Sequence, residues 1–178
     1  MIDFNKNHFD LFGLPPRFRF DPAVLDHAYR ALQSQVHPDR FAGSTDAERR
    51  MALQSSARVN EAYRALKDPV QRAQYLLRLH DVEAVAESDT QLPLEFLERQ
   101  LERREAAGDA VNVGDERTLS SLLGDVRADA RDLEDQLAST LDAEHAYAAA
   151  RTAVRELTFL AKLAEDIDAM LAALDNAT

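Results

Sequence analysis

His37-Pro38-Asp39 interrupts two stretches of apolar residues at helical spacing, and that interruption restricts this part of the chain to a helical hairpin with a fixed corner. Upstream, Asp21-Pro22 supplies an N-cap oxygen followed by a proline at the first helical position, where a missing N–H costs nothing. Leu25, Ala28, Tyr29, Leu32 and Val36 then recur at spacings that give one apolar face. Pro38 ends this helix because its ring disfavours the α conformation at His37 and it has no N–H to continue the ladder. Downstream, Thr45 and Glu48 have the spacing of a capping box, and Ala52, Ser55, Val59, Ala62, Tyr63 and Leu66 form a face of smaller residues. The polar loop from His37 to Ser44 therefore presents an imidazole, a fixed kink and a carboxylate to solvent, which suits docking to another protein.

The rest of the chain is also helical in pattern, with no strand-like alternation to compete, so the fold class is all-α. Asp68-Pro69 starts a third helix that carries Val70, Ala73, Leu76 and Leu77 through Leu79. The stretch from His80 to Gln91 is polar and aperiodic and reads as a linker, which predicts a hairpin domain over 1–80, a linker over 81–91 and a second domain over 92–178. In that second domain Pro93 opens a helix carrying Leu94, Leu97 and Leu101, expected to stop near Gly108. A stripe from Leu119 to Leu141 and a last helix from about Ala143 to Leu174 complete a three-helix antiparallel bundle.

Two apolar sets stand outside the main stripes. The last helix carries Phe159, Leu163 and Met170 in a direction the first stripe does not share. Leu97 and Leu101 lie one turn apart with Glu98, Glu102 and Glu105 beside them. These sets either pack within the molecule or form an apolar patch ringed by carboxylates, suited to a partner with an apolar surface and a basic rim.

Composition removes several function classes. The chain lacks cysteine, which excludes thiolate catalysis and disulfides, and no long apolar run predicts a membrane span. Met1 to Lys6 lack the basic and apolar regions of a secretory signal, so a cytoplasmic location is expected. Residues 1–80 hold 12 Lys and Arg against 9 Asp and Glu, whereas residues 81–178 hold 9 against 23. So acidic a second half repels phosphate backbones and argues against nucleic-acid binding; it serves solubility or a basic partner. A metal hydrolase using His37 and Asp39 is the enzymatic rival, yet His8, His27, His80 and His145 are scattered without ligand spacing. No glycine loop for phosphates and no activated nucleophile appears either, so neither an enzyme nor a cofactor is expected.

The run from Leu11-Phe12-Gly13-Leu14-Pro15 through His37-Pro38-Asp39-Arg40-Phe41 to Val59-Asn60-Glu61-Ala62-Tyr63 resembles a J-domain, the module by which co-chaperones stimulate heat-shock ATPases of the DnaK class. Arg72-Ala73-Gln74-Tyr75-Leu76-Leu77, Phe96-Leu97-Glu98-Arg99-Gln100-Leu101-Glu102 with Arg104-Glu105, and Ala153 to Leu163 extend the likeness over essentially the whole chain. Together they resemble the HscB family, J-type co-chaperones of iron–sulfur cluster biogenesis. The resemblance implies that His37, Pro38 and Asp39, assisted by Arg30 and Arg40, engage the ATPase HscA. Asp39 would accept from a basic group on the ATPase, Pro38 would fix the turn, and His37 would order the loop by hydrogen bonding. It further implies that Leu97, Leu101, Glu102, Glu105, Asp109 and Phe159 hold the cluster scaffold IscU. Glu98 stands where the family can carry a larger apolar residue, and Arg40 replaces the commoner lysine. Absence of a cysteine-rich segment points to the bacterial type. A general J-domain co-chaperone carrying unfolded clients on its bundle is the other reading, separable by comparing folded scaffold with denatured polypeptide.

Overall fold

The computed structural model describes residues 3–41, 43–84 and 92–176, and every regular element among the described residues is helical. The chain divides into two units, Met1–Leu76 and Leu77–Thr178.

The first unit opens with α1, His8–Phe12, which periodicity did not predict because five residues are too few to show it. Its ends are written in local chemistry instead. The Asn7 side chain accepts from the Asp10 N–H at 2.9 Å, and Gly13 takes the left-handed conformation at φ 67° that stops the helix. Helix α2, Pro22–Val36, begins where the Asp21 carboxylate accepts the Ala23 N–H at 2.9 Å. Helix α3, Asp46–Lys67, carries the expected capping box, with the Thr45 N–H donating to Glu48 Oε2 at 2.9 Å and the Glu48 N–H donating to Thr45 Oγ1 at 3.3 Å. Helix α4, Pro69–Leu79, follows directly and crosses the division between the units.

What holds α2 against α3 is a small apolar seam closed by an aromatic clasp. Leu25 and Val36 bury against a face made small by Ala52, Ser55, Val59 and Ala62, so the two backbones approach closely. On the same seam Tyr29 and Tyr63 stack with centroids 4.0 Å apart, and their hydroxyls donate to Asn60 at 3.0 Å and Asp26 at 2.8 Å. The Lys67 ammonium donates to the Tyr63 hydroxyl at 2.6 Å and lies 3.6 Å from Asp26. The Tyr63 hydrogen bond first, then the nearby Lys67 and Arg30 cations, hold the Asp26 carboxyl below its usual 3.8. Helix α4 is secured to the N-terminal segment by Arg72, whose guanidinium sits 4.8 Å from both Phe18 and Phe20 while donating to the Leu66 carbonyl at 2.8 Å.

In the second unit α5, Leu94–Val113, and α6, Glu116–Ala138, precede a π-helical turn at Ser139–Ala143 and the long α7, Tyr147–Asp175. Two boundaries differ from expectation. Helix α5 runs through Gly108, because burial of Ala107 and Ala110 on the core outweighs the cost of about 1 kcal/mol for an interior glycine. It stops at Gly114, left-handed at φ 68°, after which Asp115 caps α6 by accepting from the Thr118 N–H at 3.1 Å. Helix α7 starts at Tyr147 rather than near Ala143, since His145 adopts φ 54° and breaks the run.

Of the two alternatives for the second apolar set of α7, Leu163 and Met170 follow the first and pack within the molecule. Leu163 is fully buried in one cluster with Ala107, Leu119, Val126 and Ile167, and Met170 packs against that cluster. Helix α7 lies against both α5 and α6, so two directions of one helix are covered. Of the expected linker over 81–91, residues 85–91 lie outside the described residues; in its first part the Glu83 carbonyl accepts from Arg151 Nε at 2.9 Å and Ala84 is buried.

The Asp26 contacts generate a pH signature. A carboxylate whose pKa falls on folding adds stability above its unfolded pKa and loses that contribution as pH drops through the folded value. Asp26→Asn should therefore lower the thermal midpoint at neutral pH, with the difference shrinking below about pH 4. Melting curves across this range check it; a constant difference down to about pH 2 would place the effect elsewhere.

Candidate functional site

The corner of the hairpin is built by the end of α2. With proline next, His37 takes the extended backbone conformation, ψ 128°, and residues Pro38–Phe41 make one 3₁₀ turn. Inside it the Arg40 N–H donates to the His37 carbonyl at 3.1 Å, and the Asp39 N–H donates to His37 Nδ1 at 3.3 Å. Acceptance at Nδ1 puts the proton of the neutral ring on Nε2; a protonated ring would instead face Asp39 Oδ2, 3.5 Å away. Arg40 Nη1 donates back to the Ser34 carbonyl at 3.0 Å, satisfying one of the carbonyls that a helix end leaves open. The Ser44 N–H donates to the Phe41 carbonyl at 3.0 Å just before the Thr45 cap.

Both ends of the loop are thus tied down while its carboxylate projects into solvent: the Asp39 side chain is 90% exposed. Arg30 is exposed on α2, seven residues before His37, which places it about 10 Å away and within about 20° of the same direction. Of Pro38 the backbone alone is described. The corner therefore brings His37, Asp39 and Arg40 together, with Arg40 already engaged in holding the turn.

The second set of residues sits on α5 and α7. Leu97 and Leu101 are 39% and 58% exposed, far more than core leucines. With Glu105 they form one strip, each i to i+4 step turning it by about 40°, while the exposed Glu102 and Asp109 lie roughly 120–140° round from Leu97. Phe159 of α7 is half-buried, meeting Phe96 edge-on at a centroid distance of 5.7 Å, and the Arg104 guanidinium lies 5.6 Å from its centroid. Phe96 and Arg104 therefore join the Leu97 strip to Phe159, and periodicity assigned neither of them to the site.

A polar tie beneath α5 sets its placement. Gln100 is buried, and Arg103 donates to Gln100 Oε1 at 3.1 Å while pairing with Asp129 of α6 at 2.8 Å. Among the described residues no group of three or more His, Cys, Asp and Glu could hold a metal ion, and no helix is long and apolar enough to cross a membrane.

Known proteins match this arrangement along the whole chain. The DnaJ domain matches residues 7–75, and the HSCB C-terminal oligomerisation domain matches residues 92–168. The co-chaperone protein HscB homolog of Paraburkholderia xenovorans is 44% identical over 176 residues, covering 99% of this chain and 100% of the relative. Its counterpart in Aromatoleum aromaticum is 45% identical over 175 residues, covering 98% and 99%. The solved structure of chaperone HscB from Vibrio cholerae superposes with a TM-score of 0.84 at 37% identity, over 95% of this chain and 99% of that one. The human co-chaperone protein HscB gives 0.86 at 28% identity, over 93% and 82%.

The contrast between core and surface leucines is directly testable. Leu163→Ala should cost about 2–5 kcal/mol in urea unfolding, because it empties a sealed site. Leu101→Ala should cost less than about 1 kcal/mol, as a surface truncation does. Equal losses would mean that Leu101 is a packing residue.

Proposed function

The chain belongs to the HscB family of J-domain co-chaperones, and from that premise we propose that it binds the iron–sulfur scaffold IscU, delivers it to the DnaK-class chaperone HscA and stimulates that chaperone's ATPase. The observation that carries the reading is the exposed carboxylate of Asp39 on a corner fixed from both sides. An acid so placed contributes little to the fold, and a charge-assisted contact with a basic group of the ATPase gives it a purpose. Pro38 sets the bend, His37 orders the turn through the Asp39 amide, Arg40 braces it, and Arg30 adds a cation on the same side of α2. No residue of this chain takes part in bond breaking; the enzyme is the partner.

The hairpin domain, residues 1–80, carries the chaperone contact, and the acidic bundle, residues 92–178, carries the scaffold. Leu97, Leu101 and Phe159 supply apolar contact there, with Glu102, Glu105 and Asp109 meeting basic groups at the rim. A scaffold bound on one domain is held at raised effective concentration beside the chaperone bound on the other. The cytoplasm is the proposed place of action, with neither nucleic acid nor membrane as a partner.

Asp39→Asn should abolish ATPase stimulation while leaving the thermal midpoint unchanged, and full stimulation by this variant would refute the assigned role. Leu97→Ala combined with Phe159→Ala should weaken scaffold binding by about 1–4 kcal/mol in titration calorimetry. Undiminished affinity would move the interface to another face.

A further inference from the structure

The three arginines of α5 split in direction. Arg99 and Arg103 turn to Asp129 of α6, at 3.9 and 2.8 Å, whereas Arg104 turns to α7. There its guanidinium covers the Phe159 ring, and its Nη2 lies 3.7 Å from Asp166. We propose that Arg104 is a positioning residue of the scaffold-binding face, holding the Phe159 ring in the pose that a docking scaffold meets. This rests on the functional reading above.

Three observations carry it. First, Phe159 is gripped by two side chains of α5, edge-on by Phe96 with ring planes at 82° and by the Arg104 cation. A half-buried ring left without that cover would be free to change rotamer, and ordering it on binding would cost affinity. Second, the ion pair with Asp166 does not explain Arg104, because Lys162 Nζ already meets Asp166 at 3.1 Å. A loose pair between half-exposed groups adds little to stability. Third, the net charge is wrong for steering. A cation on the same helix as the exposed Glu102, Glu105 and Asp109, though on another side of it, weakens the net field that would draw a basic partner, so its placement serves the ring rather than the charge balance.

Binding of purified scaffold by the full chain, measured by calorimetry in a double-mutant cycle, tests this. Arg104→Ala should weaken binding about 3- to 13-fold, the affinity lost when one freed side chain has to be ordered on docking. In a Phe159→Ala background the same change should have almost no further effect. Arg104→Met, which keeps an unbranched stem over the ring without the charge, should stay within about threefold of the unsubstituted chain.

If the alanine and methionine variants both bind more tightly, Arg104 acts through the field alone and the proposal is overturned. An alanine loss that persists undiminished without Phe159 also overturns it, since the effect then bypasses the ring. Failure of the unsubstituted chain to bind scaffold would bring down the functional reading and the proposal with it. Binding without coupling would bring down the proposal alone.

Discussion

The corner at His37 to Arg40 stands on a hairpin in which Tyr63 ties α2 to α3. Its ring stacks on Tyr29, its hydroxyl donates to Asp26, and Lys67 closes the group from the C-terminal end of α3. An apolar seam between a leucine-bearing helix and one lined with alanine and serine is close-packed but poor in register information. Directional hydrogen bonds across the seam supply that information. With the helices fixed, the turn between them is short, capped at Thr45 and braced at Ser34, and Asp39 projects from a defined place.

In the bundle, exposure follows from how the three helices share burial. Helix α7 is covered on two sides, whereas α5 turns mainly Ala107, Ala110 and Gln100 inward. Its opposite side is left to solvent, and Leu94, Leu97 and Leu101 remain there. The Gln100–Arg103–Asp129 tie holds α5 against α6 with polar partners rather than with those leucines. An apolar strip thus stays at the surface, with the core of the bundle built from other residues.

Much of this was legible in the residues because the decisive signals are local. Asp21-Pro22, the Thr45–Glu48 box and Pro38 act within a few positions, so α2, α3 and the corner appear where their chemistry places them. Gly108 and Gly114 show the limit. Both are glycines after an apolar run, and only the burial of Ala107 and Ala110 keeps the first inside a helix. The residue pattern leaves Leu163 open between core and patch for a related reason, since a single-stripe reading assumes one buried face and α7 has two. At the site, Leu97 and Leu101 stood out by their carboxylate neighbours, but Phe96 and Arg104 could be joined to Phe159 only once α5 was seen beside α7.

The central claim is that one chain couples scaffold delivery to nucleotide hydrolysis. The most direct measurement is the steady-state ATPase rate of the cognate DnaK-class chaperone with this protein, with the scaffold, and with both. The account predicts that the pair stimulates well beyond the sum of the separate effects, because the two contacts share one molecule. Rates that merely add would contradict it.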